Sequence, residues 1–174
     1  MVRDKLTQED EECIDRIVNP YPFVTEDTLN DIDASECPEE RNSLVCELSV
    51  VLSNGAAVLN PRIQGMFPRL IALLNDKQIY NSSAIMLSDA CRHIEDVQNA
   101  FKTLGIFNLL EFSEIHYKST MSLVYSLCIE NNNNREYFIE NYYDEQRDRN
   151  CSLIQSIITP IPDESIESTD IDLL

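Results

Sequence analysis

Between Arg41 and Leu52 the apolar residues fall at Leu44, Val45, Leu48, Val51 and Leu52, a spacing that winds into one stripe of an amphipathic helix. Upstream, Cys13, Ile14, Ile17 and Val18 share one face of a helix predicted over 7–18, opened by Thr7-x-x-Asp10 in the manner of a capping box. Pro20 and Pro22 predict its end. Thr25 is placed to cap a second short helix that carries Leu29 and Ile32 and is closed by 33–38. Asn54-Gly55 predicts a left-handed stop after Leu52, and 56–59 one more helical turn before Pro61. Near the other end, Leu153, Ile154, Ile157 and Ile158 share a helix that Pro160 and Pro162 terminate, so the chain is expected to leave it extended. Three glycines and no tryptophan in 174 residues argue against a turn-rich β-sandwich. The pattern predicts an all-α fold.

The stretch from Gly65 to about Tyr143 is self-similar. Gly65, Phe67 and Leu70 align with Gly105, Phe107 and Leu110 at an offset of 40. The long helices that follow align at an offset of 37: Tyr80 with Tyr117, Ser82 with Ser119, Leu87 with Val124, Cys91 with Cys128 and Phe101 with Phe138. A shortened loop in one copy accounts for the slip, and a period near 40 belongs to helical solenoids.

These residues resemble the armadillo repeat. Gly65, Pro68, Leu70, Leu73 and Leu74 match its opening, and Ala84, Leu87 and Ala90 match its small-residue third helix. The second unit departs from the pattern at Asn108, in place of the proline, and at Met121 and Tyr125, in place of small residues. It keeps Leu109, Leu110, Leu123, Leu127 and the asparagine-rich turn 131–134. The resemblance implies a short armadillo/HEAT-like α-solenoid of two to three repeats over 41–158. An acidic segment with short helices (1–40) precedes it, and an acidic extended segment (159–174) follows. Leu70, Leu74, Leu87, Leu110, Leu123 and Leu127 are expected in one continuous core.

Charge sharpens this division. The net charge of −18 splits into −10 over 1–40, −3 over 41–158 and −5 over 159–174. A chain so acidic is a poor ligand for nucleic acid, whose phosphates call for Lys and Arg, and equally for anionic membranes. A hydrophobic content of 43% is too high for a wholly disordered acidic chain. The two ends either keep the protein soluble or engage a basic partner surface.

Candidate chemistry is sparse. Cys13, Cys37, Cys46, Cys91, Cys128 and Cys151 include no C-x-x-C pair, and His93 and His116 are not spaced as metal ligands. Cys46, Cys91 and Cys128 lie in apolar helical patterns, where a free thiol serves as a small hydrophobe. The first residues contain no apolar leader, and no run of apolar residues is long enough to span a bilayer. Reduced thiols in the cytoplasm, or in the nucleus, are therefore expected. No phosphate-cradling loop, nucleophile elbow or metal helix occurs. The acid pairs Glu95-Asp96 and Asp144-Glu145 sit beside bases in polar turns and read as solvated faces. No cofactor, metal or catalytic residue is expected, and the protein reads as a non-enzyme.

Partner binding is the remaining role. Third helices of armadillo proteins line a groove, and here they offer Ser82, Ser83, Ser88, Ser119, Ser122 and Ser126, either as contacts for a ligand or as filler between helices. Without tryptophan, an import-receptor-like asparagine ladder is not expected. Ser82 and Ser119 are candidate contacts, together with Ile166, Asp170, Ile171, Asp172, Leu173 and Leu174 of the C-terminus, whose apolar anchors in an acidic stretch have the composition of a short linear motif. Asp170-Ile-Asp-Leu-Leu174 resembles an acidic di-leucine signal, and its last four residues a SUMO-interacting strand. The expected function is that of an adaptor or accessory subunit on a larger, basic-surfaced assembly. A ribosome-bound assembly or dormancy factor and an armadillo-type exchange factor of a heat-shock chaperone are the alternatives.

Overall fold

In a computed structural model, residues 7–148 and 151–159 are described, and they comprise twelve α-helices and two 3-10 turns with no strand among them. The first two helices are α1 (Gln8–Val18) and α2 (Tyr21–Ala34). Pro20 does end α1, but α2 begins at once, with Pro22 in its first turn. Proline costs nothing there because the first N–H groups of a helix have no intrahelical acceptor. Thr25 is thus inside α2 rather than its cap, and its hydroxyl donates back to the Tyr21 carbonyl at 2.8 Å. Helix α2 buries Phe23, Leu29 and Ile32.

Helix α3 (Pro38–Leu52) opens on another first-turn proline and buries Val45, Leu48 and Leu52, while Leu44 is half-buried against the core. Cys46, expected to pack as a small hydrophobe, is exposed instead. Asn54-Gly55 is no left-handed stop. Asn54 is extended (φ −81°, ψ 107°) and caps α4 (Gly55–Val58), accepting from the Ala56 N–H at 3.0 Å. An asparagine side chain competes for a helix N-terminus as readily as it tolerates a left-handed one. Asn60 repeats the device at α5 (Pro61–Gly65), accepting from Arg62 at 2.9 Å. Helix α6 (Phe67–Ala72) and the 3-10 turn Leu73–Asn75 follow, then α7 (Tyr80–Cys91) and α8 (Glu95–Thr103).

Gly105 closes α8 in the left-handed region (φ 82°), as a residue just past a helix end commonly does. Gly65, its sequence match, lies inside α5 with ordinary helical φ, so the two glycines do different work. The second unit opens with a 3-10 turn, Ile106–Leu109, where the first has α6, and Asn108 there stands where Pro68 favours a helix start. Helices α9 (Tyr117–Cys128), α10 (Asn132–Asn141), α11 (Glu145–Asp148) and α12 (Ser152–Ile158) complete the order.

From α7 onward the offset of 37 is reproduced in detail. Helices α7 and α9 each run twelve residues from a tyrosine to a cysteine. Each ends in an extended residue, Arg92 or Ile129, followed by a non-glycine left-handed residue, His93 (φ 61°) or Glu130 (φ 57°). Those two residues meet, His93 Nδ1 lying 3.1 Å from Glu130 Oε2. Ile94 and Asn131 then precede α8 and α10 with nearly the same backbone. The Tyr80 hydroxyl accepts from the Glu111 N–H, and the Tyr117 hydroxyl donates to Asp148 Oδ1, each partner 31 residues further on.

Packing runs in series: α3 lies between α2 and α7, α7 between α3 and α9, and α9 between α7 and α12. The shorter helices pack against this row. One buried cluster runs through all of it, including Leu29, Ile32, Leu70, Leu74, Leu87, Phe101, Leu123, Leu127, Phe138 and Ile154; Leu110 is partly buried against it. Among the described residues no helix is long and apolar enough to cross a membrane.

Candidate functional site

The row α3–α7–α9 carries a line of polar side chains that bridge one helix to the next. Ser82 Oγ donates to Asn42 Oδ1 on α3 at 2.5 Å and to its own Ile79 carbonyl at 2.9 Å. Ser49 Oγ donates to Asp89 Oδ2 at 2.9 Å, a second α3–α7 link. Between α7 and α9, Ser119 Oγ donates to Asn81 Oδ1 at 2.6 Å and His116 Nδ1 lies 3.0 Å from the same oxygen. Deeper in that contact the Ser88, Ser122 and Ser126 hydroxyls cluster within 3.2 Å of Ser88, and Arg92 Nε donates to Ser126 at 3.3 Å.

The contacts of Ser119 Oγ and His116 Nδ1 with Oδ1 hold the Asn81 carboxamide in place. It lines an open depression of about 500 Å³ between α3 and α7 with Asn42, Ser49, Ser82 and Asp89. Cys46, Val50 and Ile85 supply the apolar part, Val50 being 75% and Ile85 48% exposed. Polar groups held in place beside exposed aliphatic carbons suit a peptide-like surface, with its alternating amides and side chains.

Of the residues singled out from the sequence, Ser82 and Ser119 both belong to this face. Ser82 is half-buried and lines the depression, whereas Ser119 is buried beneath Asn81. Ile166, Asp170, Ile171, Asp172, Leu173 and Leu174 lie outside the described residues. Sequence reasoning missed Asn42, Ser49, Asn81 and Asp89. The signal available was the spacing of 40 that separates Asn42 from Ser82 and Ser49 from Asp89, which extends the row back to α3.

Away from this face, burial and pairing hold four titratable groups, Cys91, Cys128, Tyr117 and Asp148. Burial raises the Cys128 thiol to about 12 and the Cys91 thiol further still, so both stay protonated. Asp148 is fully buried; burial opposes its ionisation, but Arg147, with bonds of 2.6 and 2.7 Å, outweighs it with help from the Asp144 N–H and the Tyr117 hydroxyl. Its carboxyl consequently lies below the ordinary aspartate value. Tyr117 is raised by burial and by that carboxylate. Among the described residues no three His, Cys, Asp or Glu side chains are grouped to hold a metal ion.

Comparison of the chain with protein-family models, with curated proteins and with solved structures finds no match.

Proposed function

We propose that this protein is a non-enzymatic adaptor or accessory subunit, built as a short armadillo-like α-solenoid, that docks on a larger assembly with a basic surface. The observation that carries this reading is the α3–α7–α9 face. Its hydroxyls and amides are spent on fixing one helix against the next, and beside them Val50 and Ile85 leave aliphatic carbon exposed in an open depression. The solenoid reading draws support from the two units related by 37 residues, with matching helix lengths, left-handed breaks at His93 and Glu130, and forward-reaching Tyr80 and Tyr117. The partner's charge follows from the surplus of 31 acidic over 13 basic residues. Exposed thiols at Cys13, Cys37 and Cys46 suit a reducing compartment, cytoplasm or nucleus.

The test is isolation of the tagged full chain from its own cells, followed by cross-linking and mass spectrometry. A defined assembly retained at 0.1 M salt and released at 0.5 M, with cross-links on α3 and α7, is the expected result, because exposed charge pairs are screened over roughly a few ångströms at the higher salt. Recovery of the chain alone at both salts overturns the reading.

A further inference from the structure

The 37-residue relation runs on past α9. Tyr80 and Tyr117 lead to Ile154, and Ser83 and Thr120 lead to Ile157; Ile154 and Ile157 are buried, as Tyr80, Ser83 and Thr120 are. Lys118 and Leu153 line one depression of about 480 Å³ between α9 and α12. Their counterparts one copy earlier, Asn81 and His116, meet between α7 and α9. Helix α12 thus starts a third long helix, but it runs seven residues where α7 and α9 run twelve. The same relation carries 123–129, the end of α9 and the turn after it, onto 160–166.

In the preceding copy that stretch is held from the helix behind it. Gln98 of α8 is 1% exposed, and its side-chain amide donates to the Ser126 and Ile129 carbonyls at 2.8 and 3.1 Å. One repeat on, the position of Gln98 is taken by Arg135 of α10. Its guanidinium is a fork of donors where Gln98 has an amide. Arg135 is half-buried, and among the described residues no carboxylate lies within ion-pair distance of it. The residues 37 beyond Ser126 and Ile129 are Asp163 and Ile166. On α9, Tyr125 and Ile129 correspond to Ser88 and Arg92, through which α7 meets Ser126. Ser88 is fully buried by that contact, whereas Tyr125 and Ile129 are half-buried.

We infer that residues 160–166 of this chain pack on Arg135, Tyr125 and Ile129 and close the end of the row, with Asp163 paired to Arg135. Two arguments choose this occupant. Thr159 directly follows α12, so the segment is tethered beside the surface, at an effective concentration that a second copy or a partner must compete with. Residues 160–174 also carry five acids and no base, and Arg135 is a cation without a carboxylate among the described residues. Pro160 and Pro162 keep the segment from continuing the helix, which leaves backbone carbonyls for the guanidinium. The inference rests on the solenoid half of the reading above and is independent of the adaptor half.

The test is digestion of the full chain by a Glu-specific endoprotease, with cleavage after Glu164 followed by mass spectrometry. Comparison with a free peptide of the matching sequence, 156–174, gives a protection factor. Cleavage of a segment that opens and closes quickly tracks its undocked fraction, and wild type is expected to be protected about tenfold or more. Arg135→Glu and Asp163→Arg should each abolish the protection, and the double variant should regain most of it because the charges are exchanged. Circular dichroism verifies that Arg135→Glu is folded, and Asp163→Arg, outside the described helices, reports independently of it. No protection in wild type, protection insensitive to either substitution, or no recovery in the double variant overturns the proposal. So does sedimentation as a dimer that Asp163→Arg dissociates, because a second copy's segment then fills the site. Recovery of the chain alone from cells removes the adaptor reading and leaves the protection factor unchanged.

Discussion

Replacing Asn131 by alanine should cost far more than replacing either of the other two asparagine caps. Asn131 is 2% exposed. Its Oδ1 accepts from the Asn134 N–H at 3.0 Å and so caps α10. Its Nδ2 donates to Gln98 Oε1 at 3.1 Å and Asn99 Oδ1 at 3.0 Å, splicing α10 to α8. The Gln98 amide in turn donates to the Ser126 and Ile129 carbonyls at the end of α9. Asn131→Ala removes a cap, worth about 1 kcal/mol. It also strands Gln98 Oε1 in the interior, which costs about 1–3 kcal/mol. The expected loss is about 2–4 kcal/mol. With a urea slope of about 2 kcal/mol/M, the midpoint falls by about 1–2 M. Asn54→Ala and Asn60→Ala remove caps of the same geometry at more open sites, and each should cost about 0.5–1 kcal/mol. Equilibrium urea unfolding at 25 °C, followed by helical circular dichroism, measures all three. Equal losses for the three variants at an unchanged slope refute the argument that burial of Gln98 Oε1 sets the difference.

Asp148→Asn should destabilise by about 3 kcal/mol at pH 7, the low end for breaking a buried pair because Arg147 is partly exposed. The folded carboxyl sits below its unfolded value, so its stabilisation is complete above about pH 4 and fades as pH falls through the folded value. The gap between wild type and variant should close below pH 4, and a gap independent of pH counts against the pairing. His93→Gly should stabilise by about 0.5 kcal/mol: a non-glycine left-handed residue costs roughly 1–2 kcal/mol, partly offset by glycine's greater freedom in the unfolded chain. A lower denaturation midpoint for His93→Gly contradicts this. Removing residues 1–19 should leave the thermal midpoint within a few degrees of wild type, whereas removing 1–36 also strips Phe23, Leu29 and Ile32 from the core. At about 1.5–3 kcal/mol per side chain that approaches the whole stability of a typical domain, and scanning calorimetry should show no cooperative transition.

The correspondence of α7 with α9 was legible because its markers are chemically distinctive: tyrosine and cysteine bracket both helices, and Phe101 and Phe138 are buried behind them. Helix ends were harder. Pro20 and Pro22 stop one helix and start the next within three residues, and proline's fixed φ serves both purposes. Asn54-Gly55 is ambiguous for a similar reason, since asparagine favours both a helix start and a left-handed stop. The polar face was visible as serines, but its asparagine and aspartate partners were not, because pairs forty residues apart declare themselves only once α3 and α7 lie side by side. For α1 the pattern placed Cys13, Ile14, Ile17 and Val18 on one face, and all four are exposed. Periodicity fixes which residues share a face, not which way that face turns.

The way this chain spends its few cations bears on what its surface is for. Arg16, Arg41, Arg62, Arg69, Arg92, Arg147 and Lys77 are each within ion-pair distance of a carboxylate of the same chain, seven of the ten Lys and Arg side chains among the described residues. Several of these pairs join elements distant in sequence: Arg41 of α3 meets Asp76 beyond the 3-10 turn, Arg69 of α6 meets Asp33 of α2, and Arg62 of α5 meets Asp15 of α1. Most are exposed and add little to stability one by one. Their effect is to commit basic side chains to internal register while the acids remain in excess. With the basic-surfaced partner proposed above, that excess of acids should make association fast at low salt and slow at high salt. Specificity must then come from short-range contacts that charge cannot supply, and the apolar residues turned outward, Ile14, Ile17 and Val18 on α1 with Val50 and Ile85 on the row, are where the surface offers them.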